Sequence, residues 1–106
     1  MGSRRRTQVA VTIAHLAGDF FARESNRESL ITVTHADTSP DLKNVTVFIS
    51  VLPEQFEEKA IAFAKRSRSD FRDFLKTQSR LKFLPTIDFK LDLGEKNRQL
   101  IDDLTR

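Results

Sequence analysis

The stretch VTVFISVL, residues 45–52, is the clearest strand signal in the chain, because its apolar residues alternate with residues of a second face. Every second position from Val45 to Val51 carries a branched aliphatic side chain, and threonine, phenylalanine and serine stand between them. An extended chain places alternate side chains on opposite faces of a sheet. The stretch therefore predicts a strand with one buried face.

A second strand is predicted immediately before it. LITVTHA, residues 30–36, is rich in β-branched residues and alternates in polarity. The connection, residues 37–44, concentrates turn-forming residues around Pro40. A connection this short favours antiparallel pairing of the two strands.

A third strand is predicted near the end of the chain. LPTIDFKLD, residues 84–92, resumes the two-residue period, with Ile87, Phe89 and Leu91 on the apolar side and charged residues between them. Gly94 ends this pattern.

Three helical patterns surround the strands. Val9, Ile13, Leu16 and Phe20 recur at helical spacing and predict an amphipathic helix over roughly residues 5–23.

The other two helices are predicted between the second and third strands. Pro53 suits the first position of a helix, and Glu57 and Glu58 complement its positive end. Phe71 and Leu75 mark the apolar stripe of the third helix.

The order α-β-β-α-α-β predicts an α+β domain in which helices pack on one face of a three-stranded sheet. KNRQLIDDL, residues 96–104, adds a short helix within the C-terminal tail, residues 94–106. One domain is expected over residues 1–106. Residues 1–3 have the composition of a vector-derived remnant.

Composition excludes several classes of protein. The absence of cysteine excludes a disulfide scaffold and a thiolate zinc site. No apolar run is long enough for a membrane span, and no signal-peptide pattern is present. We expect a cytoplasmic monomer that needs no cofactor and contacts no membrane.

The positive charge is concentrated in one part of the chain. Residues 59–82 carry eight Lys and Arg against Asp70 and Asp73, a local charge of +6, whereas the net charge of the chain is +3. Most of these cations lack an acidic neighbour in sequence. The asymmetry predicts one face that binds a polyanion.

The centre of this region is KRSRSDFR, residues 65–72. Ser67 and Asp70 have the spacing of a capping box at the start of the third helix, and Ser69 is a competing N-cap. A helix start offers N–H donors to an anion, and the neighbouring arginines can form paired hydrogen bonds with phosphate oxygens. The stretch predicts a phosphate-binding junction; the alternative is an exposed turn kept soluble by its charges.

The predicted RNA-binding residues comprise this junction, the basic residues that follow it and the basic entry to the first helix. Phe48, on the outer face of its strand, has two interpretations: stacking on a base, or the favoured structural role in cross-strand aromatic pairing. The predicted RNA-binding set is Arg4, Arg5, Arg6, Lys65, Arg66, Ser67, Arg68, Ser69, Arg72, Lys76, Arg80 and Lys82.

An enzyme is the first alternative class. His15 and His35 are the only histidines, and Asp19 or Asp37 lies near each of them. Together they could form a metal or acid–base site. They stand about twenty residues apart on different elements, with no nucleophile or glycine loop beside them, so the sequence predicts neither catalysis nor a metal site.

Two longer segments resemble the ribosome-binding factor A family. SPDLKNVTVFISVL, residues 39–52, is similar to the family's DLK-containing strand, and RLKFLPTIDFKLD, residues 80–92, is similar to its entry into the last strand. FRDFL, residues 71–75, resembles the family's helix between them. The resemblance extends over approximately residues 4–104.

The resemblance implies a type II KH-like fold that lacks the Gly-x-x-Gly loop. Ser67-Arg68-Ser69 stands where the family has an Ala-x-Gly kink, so a serine cap is expected to make the break between the two helices. The implied function is non-enzymatic: binding of the small ribosomal subunit and its ribosomal RNA, with assistance in late maturation and rRNA processing. The alternative is a general RNA-binding KH-like module unrelated to ribosome assembly.

Overall fold

The computed structural model describes residues 2–24, 30–81 and 83–94. Within them the order α-β-β-α-α-β is confirmed, with helices on one side of a three-stranded sheet. The predicted tail helix, residues 96–104, lies outside the described residues, and so does Lys82. The elements are α1 (Gly2–Glu24), β1 (Leu30–Thr38), β2 (Asn44–Leu52), α2 (Glu57–Arg66), α3 (Arg68–Gln78) and β3 (Thr86–Leu91).

The sheet has the order β1-β2-β3, so β2, which contains residues 45–52, is its central strand. β1 pairs with β2 in the predicted antiparallel sense, and β3 pairs with β2 in parallel. A parallel pair needs a long crossover connection, which α2 and α3 provide. Thr38, Val45 and Ile87 lie in one row across the three strands.

β1 contains an irregularity at Thr34. Val33 pairs with Ile49, and the next paired residue of β1 is His35, opposite Phe48. A bulge adds one residue to one strand and reverses the faces of the residues beyond it. His35 consequently lies on the sheet face away from the helices, beside Phe48.

The core lies between the helices and one face of the sheet. Val47 and Ile49 of β2 are fully buried there, as are Phe71 and Leu75 of α3. Phenylalanine rings join α1 to α3, with centroids 5.3 Å apart between Phe20 and Phe71, and join α1 to the sheet, with centroids 5.2 Å apart between Phe21 and Phe89. Edge-on and tilted contacts at such distances are the preferred aromatic geometry.

Two helix starts differ from the prediction. α1 begins at Gly2 rather than near residue 5. Pro53 has an extended backbone and precedes a 3₁₀ turn, Glu54–Phe56, so α2 begins only at Glu57. Proline has no N–H to lose at such a start, which is why the turn accommodates it.

The turn between β1 and β2 forms around side-chain hydrogen bonds. Asp41 accepts from the Ser39 hydroxyl at 2.6 Å and from the Lys43 N–H at 3.0 Å. Leu42 occupies the left-handed region, with φ 61°.

No helix within the described ranges has the length and apolar character to cross a lipid bilayer.

Candidate nucleic-acid interface

The basic junction, residues 65–72, lies where α2 passes into α3. α2 ends at Arg66 and α3 begins at Arg68, so Ser67 alone separates them. The break is made without positive φ, because Ser67 has φ −88° and ψ 3°. A kink that depends on glycine would need left-handed backbone. Here serine makes the break between α2 and α3 with negative φ.

The predicted capping box is wrong. Ser67 makes no side-chain cap to α3; its hydroxyl instead donates to the Phe63 carbonyl at 2.8 Å, one turn back in α2. Near-helical backbone directs the side chain to that carbonyl, as serines within helices do. Ser67 is also buried, so its hydroxyl is occupied in holding the junction and does not face a ligand.

Ser69 is likewise not an N-cap. It lies inside the first turn of α3 and is exposed. At the break between the helices, the side chain of Arg68 forms a hydrogen bond with the backbone of α2. Its Nε donates to the Lys65 carbonyl at 3.0 Å.

Asp88 of β3 neutralises part of the basic junction. Its Oδ1 lies 3.2 Å from Lys65 Nζ and 3.6 Å from Arg68 Nη1. Partial burial raises the pKa of the Asp88 carboxyl, but the Phe89 N–H, the Lys65 ammonium and the Arg68 charge outweigh it, so the net pKa is lowered from 3.8. Asp88 is therefore a carboxylate at neutral pH.

Two arginines of the junction keep their charge available. Arg66 and Arg72 are exposed and form no ion pair with any other residue in the described part of the chain. Arg68, Arg72 and Lys76 follow one another at four-residue intervals on one side of α3, over about 12 Å. Lys76 also lies 3.9 Å from Asp73, an exposed contact of little energetic weight.

A shallow groove of about 240 Å³ runs along this side of α3. The start of β3 forms its opposite wall. It is lined by Arg68, Ser69, Arg72, Pro85, Thr86 and Ile87.

The structure adds one basic residue that the sequence pattern did not place at the site. The Lys43 carbonyl accepts a hydrogen bond of 2.8 Å from the Thr86 N–H, which brings the β1–β2 turn to the end of the groove. Lys43 is exposed. Lys43 lies near the groove only because β2 pairs in parallel with β3. Its position in the sequence therefore does not indicate that it belongs to the site.

The basic entry to α1 lies apart from the junction. Arg6 Nη2 donates to the Thr38 carbonyl at 3.1 Å, at the end of β1. Thr38 of β1 and Ile87 of β3 lie in one row, so the basic entry to α1 and the basic junction are at the same end of the sheet. They lie at its opposite edges, and the two edge strands are about 10 Å apart. Arg4 and Arg5 are exposed there. The structure thus divides the predicted basic set into two groups.

Two further members of that set follow α3. Arg80 is exposed and has no ion-pair partner within the described ranges. Lys82 falls outside the described residues. Phe83, beside it, is 86% exposed, the one large exposed aromatic side chain in the described ranges, and its sequence context does not distinguish it from the core phenylalanines.

The histidines do not form a common site. His15 pairs with Asp19 on the exposed side of α1 at 3.7 Å. His35 Nδ1 faces Asp92 at 3.4 Å, and the expected neighbour Asp37 is not its partner. No cluster of three or more His, Cys, Asp or Glu side chains suited to a metal ion is found in the described ranges.

Phe48 has the structural role that its strand position favoured. Its ring stacks on His35 across β1 and β2, with centroids 4.5 Å apart and planes 12° apart. One face of Phe48 is therefore covered by a cross-strand neighbour.

Comparison with known proteins agrees with this architecture. The family model described as ribosome-binding factor A matches residues 5–105. The ribosome-binding factor A of Bradyrhizobium sp. (strain ORS 278) is 30% identical over 110 residues, which cover 99% of this chain and 80% of that protein.

Two structures of Thermus thermophilus ribosome-binding factor A share the fold. The crystal structure superposes with a TM-score of 0.72 at 18% identity, over 81% of this chain and 94% of that one. A homology model fitted into the cryo-EM map of a complex of that protein with 30S gives 0.71 at 19% identity, over 80% and 92% of the two chains.

The family match over nearly the full length, together with the mixed three-stranded sheet and the helix break at Ser67, leads to one conclusion: this chain belongs to the ribosome-binding factor A family.

Proposed function

We propose that this protein binds the small ribosomal subunit through its ribosomal RNA and assists late maturation of the subunit and processing of its rRNA. It does so without catalysis and without a cofactor, as a cytoplasmic monomer. Family membership supports the class of function. The proposed contact surface is the basic junction together with Lys43, Lys76 and Arg80.

The observation that carries the proposal is the state of Arg66 and Arg72. Both are exposed, and neither pairs with a carboxylate in the described residues. A guanidinium presents several N–H donors in a planar fork that matches phosphate oxygens. Arg66 and Arg72 can therefore bind phosphate without first breaking an ion pair among the described residues.

RNA recognition at this surface follows backbone and shape. The groove beside Arg72 is lined by no glycine, so its main chain cannot approach a ligand as closely as a glycine-rich loop would. Contacts of this kind read phosphate positions in a folded RNA. If about four to six phosphates are engaged, the logarithm of affinity falls with the logarithm of salt concentration with a slope of roughly −3 to −5.

Sedimentation tests the proposal. The protein is mixed separately with free small subunits, intact ribosomes and random single-stranded RNA, and the bound fraction is measured after centrifugation. We expect a much larger bound fraction with free small subunits than with intact ribosomes or with random single-stranded RNA. Equal binding to all three would favour the general RNA-binding module and overturn the assembly-factor proposal.

A further inference from the structure

The imidazole of His35 forms a flat surface at the edge of the sheet. Phe48 covers one of its faces, with planes 12° apart. Since Phe48 belongs to the central strand and β1 is an edge strand, the other face of His35 points away from the sheet. The His35 side chain is 48% exposed.

A buried carboxylate holds this ring in place. Asp92, whose side chain is only 8% exposed, lies 3.4 Å from His35 Nδ1. The Thr34 hydroxyl donates to Asp92 at 2.6 Å and also lies 3.2 Å from His35 Nδ1. The ring orientation is thus set before any ligand arrives, which lowers the entropic cost of binding.

At the free edge of β1, His35 is among the residues that line a groove of about 680 Å³, whose other wall is formed by α1. This volume falls within the range of small-molecule sites. The helix wall is apolar, formed by Ala10, Val11 and Ala14. Arg6 and Asp37 lie at the polar part of the same groove.

Arg6 provides a fixed positive charge. The bond from its Nη2 to the Thr38 carbonyl occupies one of five N–H donors of the guanidinium. The buried Nε makes no hydrogen bond to another described residue. The charge is held at the groove without a carboxylate partner in the described ranges.

We propose that this groove binds one unpaired nucleotide of an RNA strand, with its base stacked on His35 and its phosphate at Arg6. The inference rests on the proposed function and adds a second RNA contact at the sheet edge opposite the basic junction. Stacking on an aromatic face is how proteins commonly hold unpaired bases.

Asp37 gives the site a preference among bases. It lines the groove close to His35, and its carboxylate accepts hydrogen bonds only. Adenine and cytosine carry an exocyclic amino group that can donate to it, whereas the N3–H donor of uracil lies between two carbonyl oxygens that a carboxylate repels. The site therefore favours adenine over uracil.

The structure disfavours an extended peptide as the occupant. A peptide that adds to β1 needs a regular row of unpaired N–H and C=O groups along the edge. The irregularity at Thr34 interrupts that row at one end of the groove, which leaves a regular edge only over residues 35–38.

A proton NMR titration with the ten-residue oligonucleotides oligo(A) and oligo(U) tests the inference. The chain has two histidines, so His15 serves as an internal control. We expect oligo(A) to shift the His35 ring signals upfield through its ring current, with His15 unmoved and oligo(U) weaker. Unmoved His35 signals, which a peptide groove would also give, or equal shifts of both histidines, would overturn the proposal.

Variants separate stacking from folding. His35→Ala is expected to weaken oligo(A) binding about tenfold, whereas His35→Phe retains it, since stacking needs the ring face alone. His15→Ala is the matched control and leaves binding unchanged. Asp37→Ala is expected to remove the preference for oligo(A) over oligo(U); a retained preference contradicts the role of Asp37.

The two proposals fail independently. The oligonucleotide titration uses no ribosomal subunit, so a negative result there leaves the sedimentation result intact. Conversely, wild-type protein that fails to co-sediment with small subunits but shows the His35 shift would overturn the proposed function only.

Discussion

Arg68 and Asp88 form an ion pair between the start of α3 and β3, with Arg68 Nη1 3.6 Å from Asp88 Oδ1. The same carboxylate oxygen lies 3.2 Å from Lys65 Nζ. The Asp88 carboxylate thus pairs with two of the four basic residues in the basic junction. The charge left for a polyanion resides on Arg66 and Arg72.

Asp88→Asn is expected to strengthen binding to small subunits about two- to threefold at low salt, because it removes a negative charge close to the phosphate contacts. Filter binding with isolated small subunits measures the change. Asp19→Asn, on the exposed side of α1, alters the net charge equally and is the control. Equal effects of both substitutions would assign the change to net charge alone.

The Asp88 ion pairs are also expected to make stability depend on pH. The pKa of Asp88 is lowered in the folded protein, so its stabilising contribution is present above about 3.8 and is lost as pH falls through the lower folded value. The excess in Tm of the wild type over Asp88→Asn should shrink below pH 4. Because these groups are partly exposed, the difference at pH 7 stays below about 1 kcal/mol. A constant difference from pH 7 to pH 2.5 would contradict this.

Charge reversal of Arg66 and Arg72 is expected to weaken small-subunit binding more than tenfold without unfolding the protein. Neither side chain has an ion-pair partner to lose among the described residues. The salt slope should fall by about two, one for each arginine that no longer neutralises a phosphate. Circular dichroism checks folding, and the slope is measured by titration between about 50 and 200 mM salt.

Lys90→Glu controls for that reversal, because Lys90 is exposed on β3 and lies outside the groove of the basic junction. It should change binding far less than Arg72→Glu alone. Unchanged binding of the arginine variant would place the RNA contact at the basic entry to α1, Arg4, Arg5 and Arg6, instead.

Two serine substitutions distinguish the observed junction from a capping box. Ser67→Ala is expected to cost about 1 kcal/mol, since it removes a buried hydroxyl that donates to the Phe63 carbonyl. Ser69→Ala should leave stability unchanged or raise it by a few tenths of a kcal/mol, because alanine is the better helix residue within α3. Urea unfolding gives both values. A larger loss for Ser69→Ala would restore Ser69 as an N-cap.

Two phenylalanine substitutions test where the core ends. Phe71→Ala is expected to cost about 3–5 kcal/mol, because Phe71 is fully buried and packs against three other rings. Phe83→Ala, the same change at a side chain that is 86% exposed, should stay within about 0.5 kcal/mol. Comparable losses for the two variants would show that Phe83 is buried in solution.

The elements were predictable because each depends on local periodicity. The alternation from Val45 to Val51 predicts β2, and the four branched aliphatic residues on its predicted inner face are all buried. The spacing of Phe71 and Leu75 predicts α3 in the same way. The first residue of a helix is harder to predict from the sequence than the helix itself. Pro53, for example, fits several kinds of turn, and only packing selects one of them.

The site was predictable in part. An excess of cations over residues 59–82 is visible in the sequence, and it locates the basic junction. The pairing of Arg68 with Asp88 is not visible, because about twenty residues separate them and only the packing of α3 beside β3 brings them together. The same holds for Lys43 and Thr86.

The kind of elements, their order and the region of excess positive charge can be predicted from the sequence, because side-chain period and composition act over a few residues at a time. Tertiary packing is needed to know which cations are neutralised, which serine is buried and which ring His35 stacks upon. These depend on residues from different elements meeting at about 3–5 Å, and that distance is set by the parallel pairing of β3 and the irregularity in β1.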